Sequence, residues 1–92
     1  MSGAPIIDFV SIHGRTLAAT FANLPPGAEI VLVDKTSGAP FGASPAGASD
    51  GNATIIVPMG APAGDYYLRA EDSGGVNLAQ SVEFHFDADA GR

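Results

Sequence analysis

This sequence predicts an all-β fold, a sandwich of six to seven antiparallel strands. Three observations carry the prediction. Short apolar runs are separated by glycine and proline, of which there are 12 and 7 in 92 residues. No window of helical length shows a 3.6-residue apolar period. Turn signals recur roughly every eight to twelve positions, the spacing expected of a sandwich.

The first run is IIDFVSI, residues 6–12, followed by His13-Gly14 and then RTLAATF, residues 15–21. In the second run Leu17, Ala19 and Phe21 share one face, and Thr16, Ala18 and Thr20 share the other. His13-Gly14 fits either a two-residue hairpin or a crossing between sheets. After the rigid turn Asn23-Leu24-Pro25-Pro26-Gly27 comes EIVLVD, residues 29–34, whose unbroken β-branched and leucine run predicts a central strand covered on both faces.

Residues 35–52 (KTSGAPFGASPAGASDGN) change to small and polar, which predicts a long loop with a short edge strand around Phe41. The Phe41 ring reads two ways, as a plug anchoring the loop to the core or as an exposed binding aromatic. ATIIV, residues 53–57, is the next strand and ends at Pro58, where a missing N–H does little harm. DYYLRAE, residues 65–71, alternates: Tyr66, Leu68 and Ala70 inward, Tyr67, Arg69 and Glu71 outward. Asp72-Ser73-Gly74-Gly75 turns the chain into a last strand over residues 77–86. A period of two there places Leu78, Gln80, Val82, Phe84 and Phe86 inward, and Ala79, Ser81, Glu83 and His85 outward. Residues 1–86 then form one domain, and residues 87–92 (DADAGR) a tail.

The core available to this domain is thin. Hydrophobic residues make up 46% of the chain, but 16 of them are alanine, and Ile, Val, Leu and Phe together number 22. A chain of this length buries only about 60–65% of its unfolded surface, so a neighbour's contribution to stability is expected. The formal net charge is −6, and the four basic residues (Arg15, Lys35, Arg69, Arg92) are scattered. That argues against nucleic acid, which requires clustered positive charge, and against an anionic membrane surface. With no cysteine there is no disulfide framework, thiol nucleophile or cysteine-ligated zinc. The opening MSGAPIIDFVSIHG has neither the basic leader nor the apolar core of a signal peptide. This predicts a protein that stays inside the producing cell, or leaves in an assembly or by a leaderless route.

The segment 53–86 also carries a cadence of its own: a strand ending Val57-Pro58, then Ala63-Gly64-Asp65-Tyr66-Tyr67-Leu68, a polar hairpin, and a strand ending Ser81-Val82-Glu83-Phe84-His85-Phe86. It resembles immunoglobulin-like β-sandwich modules of secreted and cell-wall proteins, in particular the Ser/Thr-rich, yeast cell-wall-type (Knh-like) domain family. The resemblance implies an immunoglobulin-like or fibronectin-like sandwich. It rests on folding residues and carries no catalytic residue over. Gly64 and Tyr66 match the approach to a tyrosine corner, in which the phenol returns to nearby backbone.

Candidate chemistry is sparse. His13 falls in a turn and His85 on an outward face. Ser11 and Ser81, the serines nearest in sequence, sit on no strained nucleophile turn. Asp34, Asp50, Asp72, Asp87 and Asp89 are loop carboxylates, yet calcium needs about six converging oxygens and no complete loop motif is present. Asp50-Gly51 reads as a turn. Asn52-Ala53-Thr54 is a formal glycosylation sequon, meaningful only in a secretory pathway. Tyr67 and Arg69 beside Glu71 form the most binding-like feature, because tyrosine and arginine favour interfaces. Phe41 and His85 complete the candidate contact residues, and no catalytic, metal or cofactor residue is assigned.

These readings predict a non-enzymatic structural module that associates with a protein partner or with itself. A small decoration or accessory subunit of a phage virion or surface appendage fits that description. The alternative is a carbohydrate-binding or adhesion module, against which stands the absence of tryptophan.

Overall fold

In the computed structural model, which describes residues 3–87, the chain forms eight strands: β1 (Ile6–His13), β2 (Thr16–Ala22), β3 (Glu29–Asp34), β4 (Pro40–Pro45), β5 (Gly51–Ile56), β6 (Gly64–Glu71), β7 (Asn77–Gln80) and β8 (Phe84–Phe86). They make two antiparallel sheets. The first has the order β1-β2-β5. In the second the order is β4-β3-β6-β7, with β8 also pairing β6. The fourth strand joins β3 rather than extending the first sheet beside β5. This is an immunoglobulin-like sandwich of the fibronectin-like kind. No helix among the described residues is long and apolar enough to cross a membrane.

His13 pairs with Thr16 across Gly14-Arg15, so the first two runs form a hairpin. Gly14 has φ 61° at the first central position, as a type II′ turn requires, and this turn matches the twist of the flanking strands. Pairing then jumps from Phe9↔Ala19 to Ser11↔Ala18. Val10 is the extra residue of a bulge and stands in solvent. The bulge shifts the side-chain phase, so Phe9 and Ile12 both pack against the core although three positions separate them.

The core lies between the sheets. Ile7, Leu17, Ala19, Phe21, Ile55 and Val57 meet Ile30, Leu32, Tyr66, Leu68, Phe84 and Phe86. Phe9 of the first sheet stacks on Phe84 of the second, with centroids 4.3 Å apart and planes 9° apart. Tyr66 takes Phe41 and Phe86 edge-on, each at 6.0 Å. Its hydroxyl donates to the Pro62 carbonyl at 2.6 Å, closing the tyrosine corner that Gly64 and Tyr66 suggested. Burial and the nearby Asp34 carboxylate raise the Tyr66 phenol above the ordinary tyrosine value.

The edge strand expected around Phe41 is present as β4, bulged at Phe41-Gly42, where the register moves from Val31↔Ala43 to Val33↔Pro40. The last strand departs from expectation. It is not one ribbon over 77–86 but two pieces, because Arg69 pairs with Gln80 while Tyr66 pairs with Phe84. One surplus residue lies between them. Ser81 bridges the break: its N–H donates to the Leu68 carbonyl (2.8 Å) and its Oγ accepts the Leu68 N–H (2.9 Å). Gln80 and Val82, expected inward, are exposed, while Ala79 faces Ala70 and packs on the core. An inward Gln80 would leave an amide to satisfy, and the break removes that cost.

Candidate contact face

Tyr67, Arg69 and Glu71 stand on the outward face of the second sheet, as the alternation of β6 predicts. Register places Tyr67 across from Val33, and Arg69 between Val31 of β3 and Gln80 of β7. Val31 and Val33 are 5% and 0% exposed yet lie outside the inter-sheet core cluster. They are therefore roofed on the outward side, and their cross-strand neighbours Arg69 and Tyr67 are the large side chains placed to do it. Long amphipathic side chains cover apolar surface in this way while keeping their polar tips wet.

Charge on this face is arranged in pairs. Arg69 Nη2 meets Glu71 Oε2 at 2.5 Å, with both side chains partly buried. Arg69 Nε is buried without a hydrogen-bond partner. His85, across from Asp65 on the same face, places Nδ1 3.2 Å from Asp65 Oδ1. Lys35 Nζ bonds Glu83 Oε1 at 2.9 Å. That hydrogen bond, and then the Glu83 charge, raise the lysine above its ordinary value. The Lys35 and His85 pairs are exposed and contribute little to stability.

Of the five candidate contact residues, the structure gathers Tyr67, Arg69, Glu71 and His85 on one face and separates Phe41 from them. Phe41 is half-buried and packs edge-on against Tyr66, as the core-anchor reading expects. The sequence reading placed Glu83 outward but did not assign Val31, Val33, Asp65 or Lys35 to this face. A signal was present: a strand covered on both faces needs a roof, and residues two apart on its neighbour supply one.

The remaining candidates are dispersed. His13 is exposed at the end of β1, far along the chain from Ser81, whose Oγ is engaged by Leu68 and donates to the Val82 carbonyl. Asp34 Oδ1 accepts the Thr36 N–H, and Asp72 Oδ1 accepts those of Gly74 and Val76, so both carboxylates shape turns. Asp50 Oδ1 takes the Asn23 N–H at 2.8 Å and secures that residue at φ 62°. Among the described residues no three of His, Asp and Glu gather as a metal site. Asp89, Arg92 and the rest of the tail beyond Asp87 lie outside the described residues. Asn52 of the sequon is exposed on β5.

A cavity of about 470 Å³ opens at one end of the sandwich, lined by Leu24, Pro25, Pro26, Pro45, Ala46 and neighbouring small residues. It holds one charged residue, Glu29, and no histidine or aromatic, so it offers little to orient a polar substrate or stack a sugar. Comparison of the chain with protein-family models, with curated proteins and with solved structures found no match to any of them. The resemblance of residues 53–86 to cell-wall-type modules therefore reaches the β-sandwich and its tyrosine corner, and no family is assigned.

Proposed function

We propose that this chain is a non-enzymatic contact module that associates with protein through the outward face of its second sheet, with Tyr67 and Arg69 at the centre. The observation behind this reading is the combination on β6 of a half-buried tyrosine and a partly desolvated arginine over two hidden valines. Interfaces concentrate binding energy in such residues. Arg69 Nε is a buried donor without a partner, and a shift of the side chain on binding would let a partner's carbonyl or carboxylate satisfy it. A small decoration or accessory subunit of a virion or surface appendage is the setting that fits best, because a thin core gains stability from neighbours.

Tyr67→Ala and Arg69→Ala each remove contact area from this face. Either variant is expected to weaken association with the native assembly about ten-fold or more, read by co-sedimentation with purified particles. Unchanged co-sedimentation overturns the role of this face. Glycan-array binding above background, lost on Tyr67→Ala, transfers the face to carbohydrate recognition.

A further inference from the structure

Resting on the reading of the chain as a contact module, we propose that a second copy of this chain pairs antiparallel along the open edge of β5, around a two-fold axis at Thr54. Four strand edges bound the two sheets, and three carry devices that discourage pairing. β1 is bulged at Val10 and preceded by Pro5. β4 begins and ends in proline and is bulged at Gly42, which has φ 134°. The β7/β8 edge is broken at residues 81–83. Within its own span β5 has no bulge, break or proline, with Pro58 two positions beyond its end. Its register to β2 runs without a shift from Thr16↔Ile56 to Phe21↔Gly51, and its sequence GNATII contains no charge and no proline.

The direction of its free peptide groups follows from the ladder. Val57 N–H donates to the Arg15 carbonyl at 2.8 Å. Alternation then turns the peptides of Ile55, Ala53 and Gly51 toward β2 and those of Asn52, Thr54 and Ile56 toward the open edge. A second β5 overlaps these groups fully when Thr54 faces its own counterpart and Asn52 faces Ile56 of the second copy.

Charge does not oppose this register. The chain as a whole repels its copies at a formal net charge of −6, but an uncharged strand brings no like charges together. The two-fold axis also sets Asp50 of each copy opposite Pro58 of the other. The Arg15 guanidinium, held by the Pro58 carbonyl at 2.6 Å, lies inward over the Phe86 ring. The first sheets of the two copies continue as one across the joint. An edge alone covers less than the ~1,200–2,000 Å² of a stable interface. The dimer is accordingly one that dissociates on dilution.

Sedimentation equilibrium of the full chain across a concentration series tests this, with an average mass expected to climb toward twice that of the monomer. Thr54→Pro removes an N–H that makes no bond to β2. It should hold the mass at the monomer value with the circular dichroism spectrum unchanged. Thr54→Lys, which sets two ammonium groups face to face, does the same if the proline variant fails to fold. Because the chain has no cysteine, Thr54→Cys under mild oxidation should give a disulfide-linked dimer at least about ten-fold faster than Asn52→Cys, since only position 54 meets itself within the Cα reach of a disulfide. A monomer persisting to about 1 mM, a dimer surviving in Thr54→Lys, or equal cross-linking at both positions overturns the proposal. Tyr67→Ala, run alongside, should leave this dimer intact. If it abolishes the dimer while the Thr54 variants do not, the edge is wrong and the contact face stands.

Discussion

The outward face of the second sheet pairs Arg69 with Glu71 and Asp65 with His85, and it hides Val31 and Val33. The outward face of the first sheet has Asp8 as the one formal charge on its strands, amid threonine and alanine, and leaves Ile6, Val10 and Ile56 in solvent. Both faces belong to sheets of the same sandwich with similar inner surfaces, so the core does not explain the contrast. What differs is the length of the outward side chains. Tyr67 and Arg69 reach over their neighbours, whereas Thr16, Ala18, Thr20 and Thr54 cannot. A half-covered valine becomes part of a second, smaller apolar layer in one sheet and remains surface in the other.

The largest test of that contrast is a matched pair of truncations. Val33→Ala is expected to cost about 2–3 kcal/mol in chemical denaturation, the range for removing two buried methyl groups with partial collapse. Ile56→Ala on the opposite outward face should stay within about 0.5 kcal/mol. Equal effects would show that the second sheet has no roof.

Tyr66→Phe should cost about 1–1.5 kcal/mol by removing the bond to the Pro62 carbonyl. The same group carries a pH dependence. Its folded value lies above the unfolded one near 10. Its contribution is complete below that pH and is lost as pH rises through the folded value. Urea midpoints followed across the alkaline range should fall more steeply for the natural protein than for Tyr66→Phe.

Tyr67→Ala should cost about 1 kcal/mol by uncovering Val33, roughly the energy of one cross-strand pair. Its loss in double-mutant combination with Val33→Ala should be less than additive, because the second truncation removes what the first exposes. Smallest of all, Lys35→Ala should leave the thermal midpoint unchanged, since its partner Glu83 is as exposed as it is.

The legibility of these features in the sequence follows their range. β3 is read at its observed bounds because four consecutive aliphatic positions, Ile30 to Val33, admit no other placement, and β6 to within one residue because its alternation is unbroken. The tyrosine corner is readable because phenol and acceptor are four residues apart. The bulges and breaks are not. Each inserts a residue to satisfy tertiary packing, and neither Val10 nor Ser81 announces it by composition. A period of two carried backward from Phe84 runs through the break and assigns Gln80 and Val82 to the wrong side. The polar amide landing inward was the one local sign of an error in phase. Pairs such as Lys35–Glu83, 48 positions apart, depend on the completed topology and leave no trace in local pattern.

The tyrosine corner also acts as a ruler on the chain. The hydroxyl of Tyr66 reaches Pro62 only while four steps of backbone separate them, so the last stretch of the crossover from β5 to β6 has a fixed length. One added residue between Pro62 and Tyr66 would pull donor from acceptor and misalign every rung of β6 behind it. The turn after β3 has no such constraint: Thr36, Ser37 and Gly38 are exposed, and the bonds that close it come from Asp34 at its base. Foreign sequence is therefore best grafted at that turn, which leaves this small sandwich free to serve as a display scaffold with its crossover untouched.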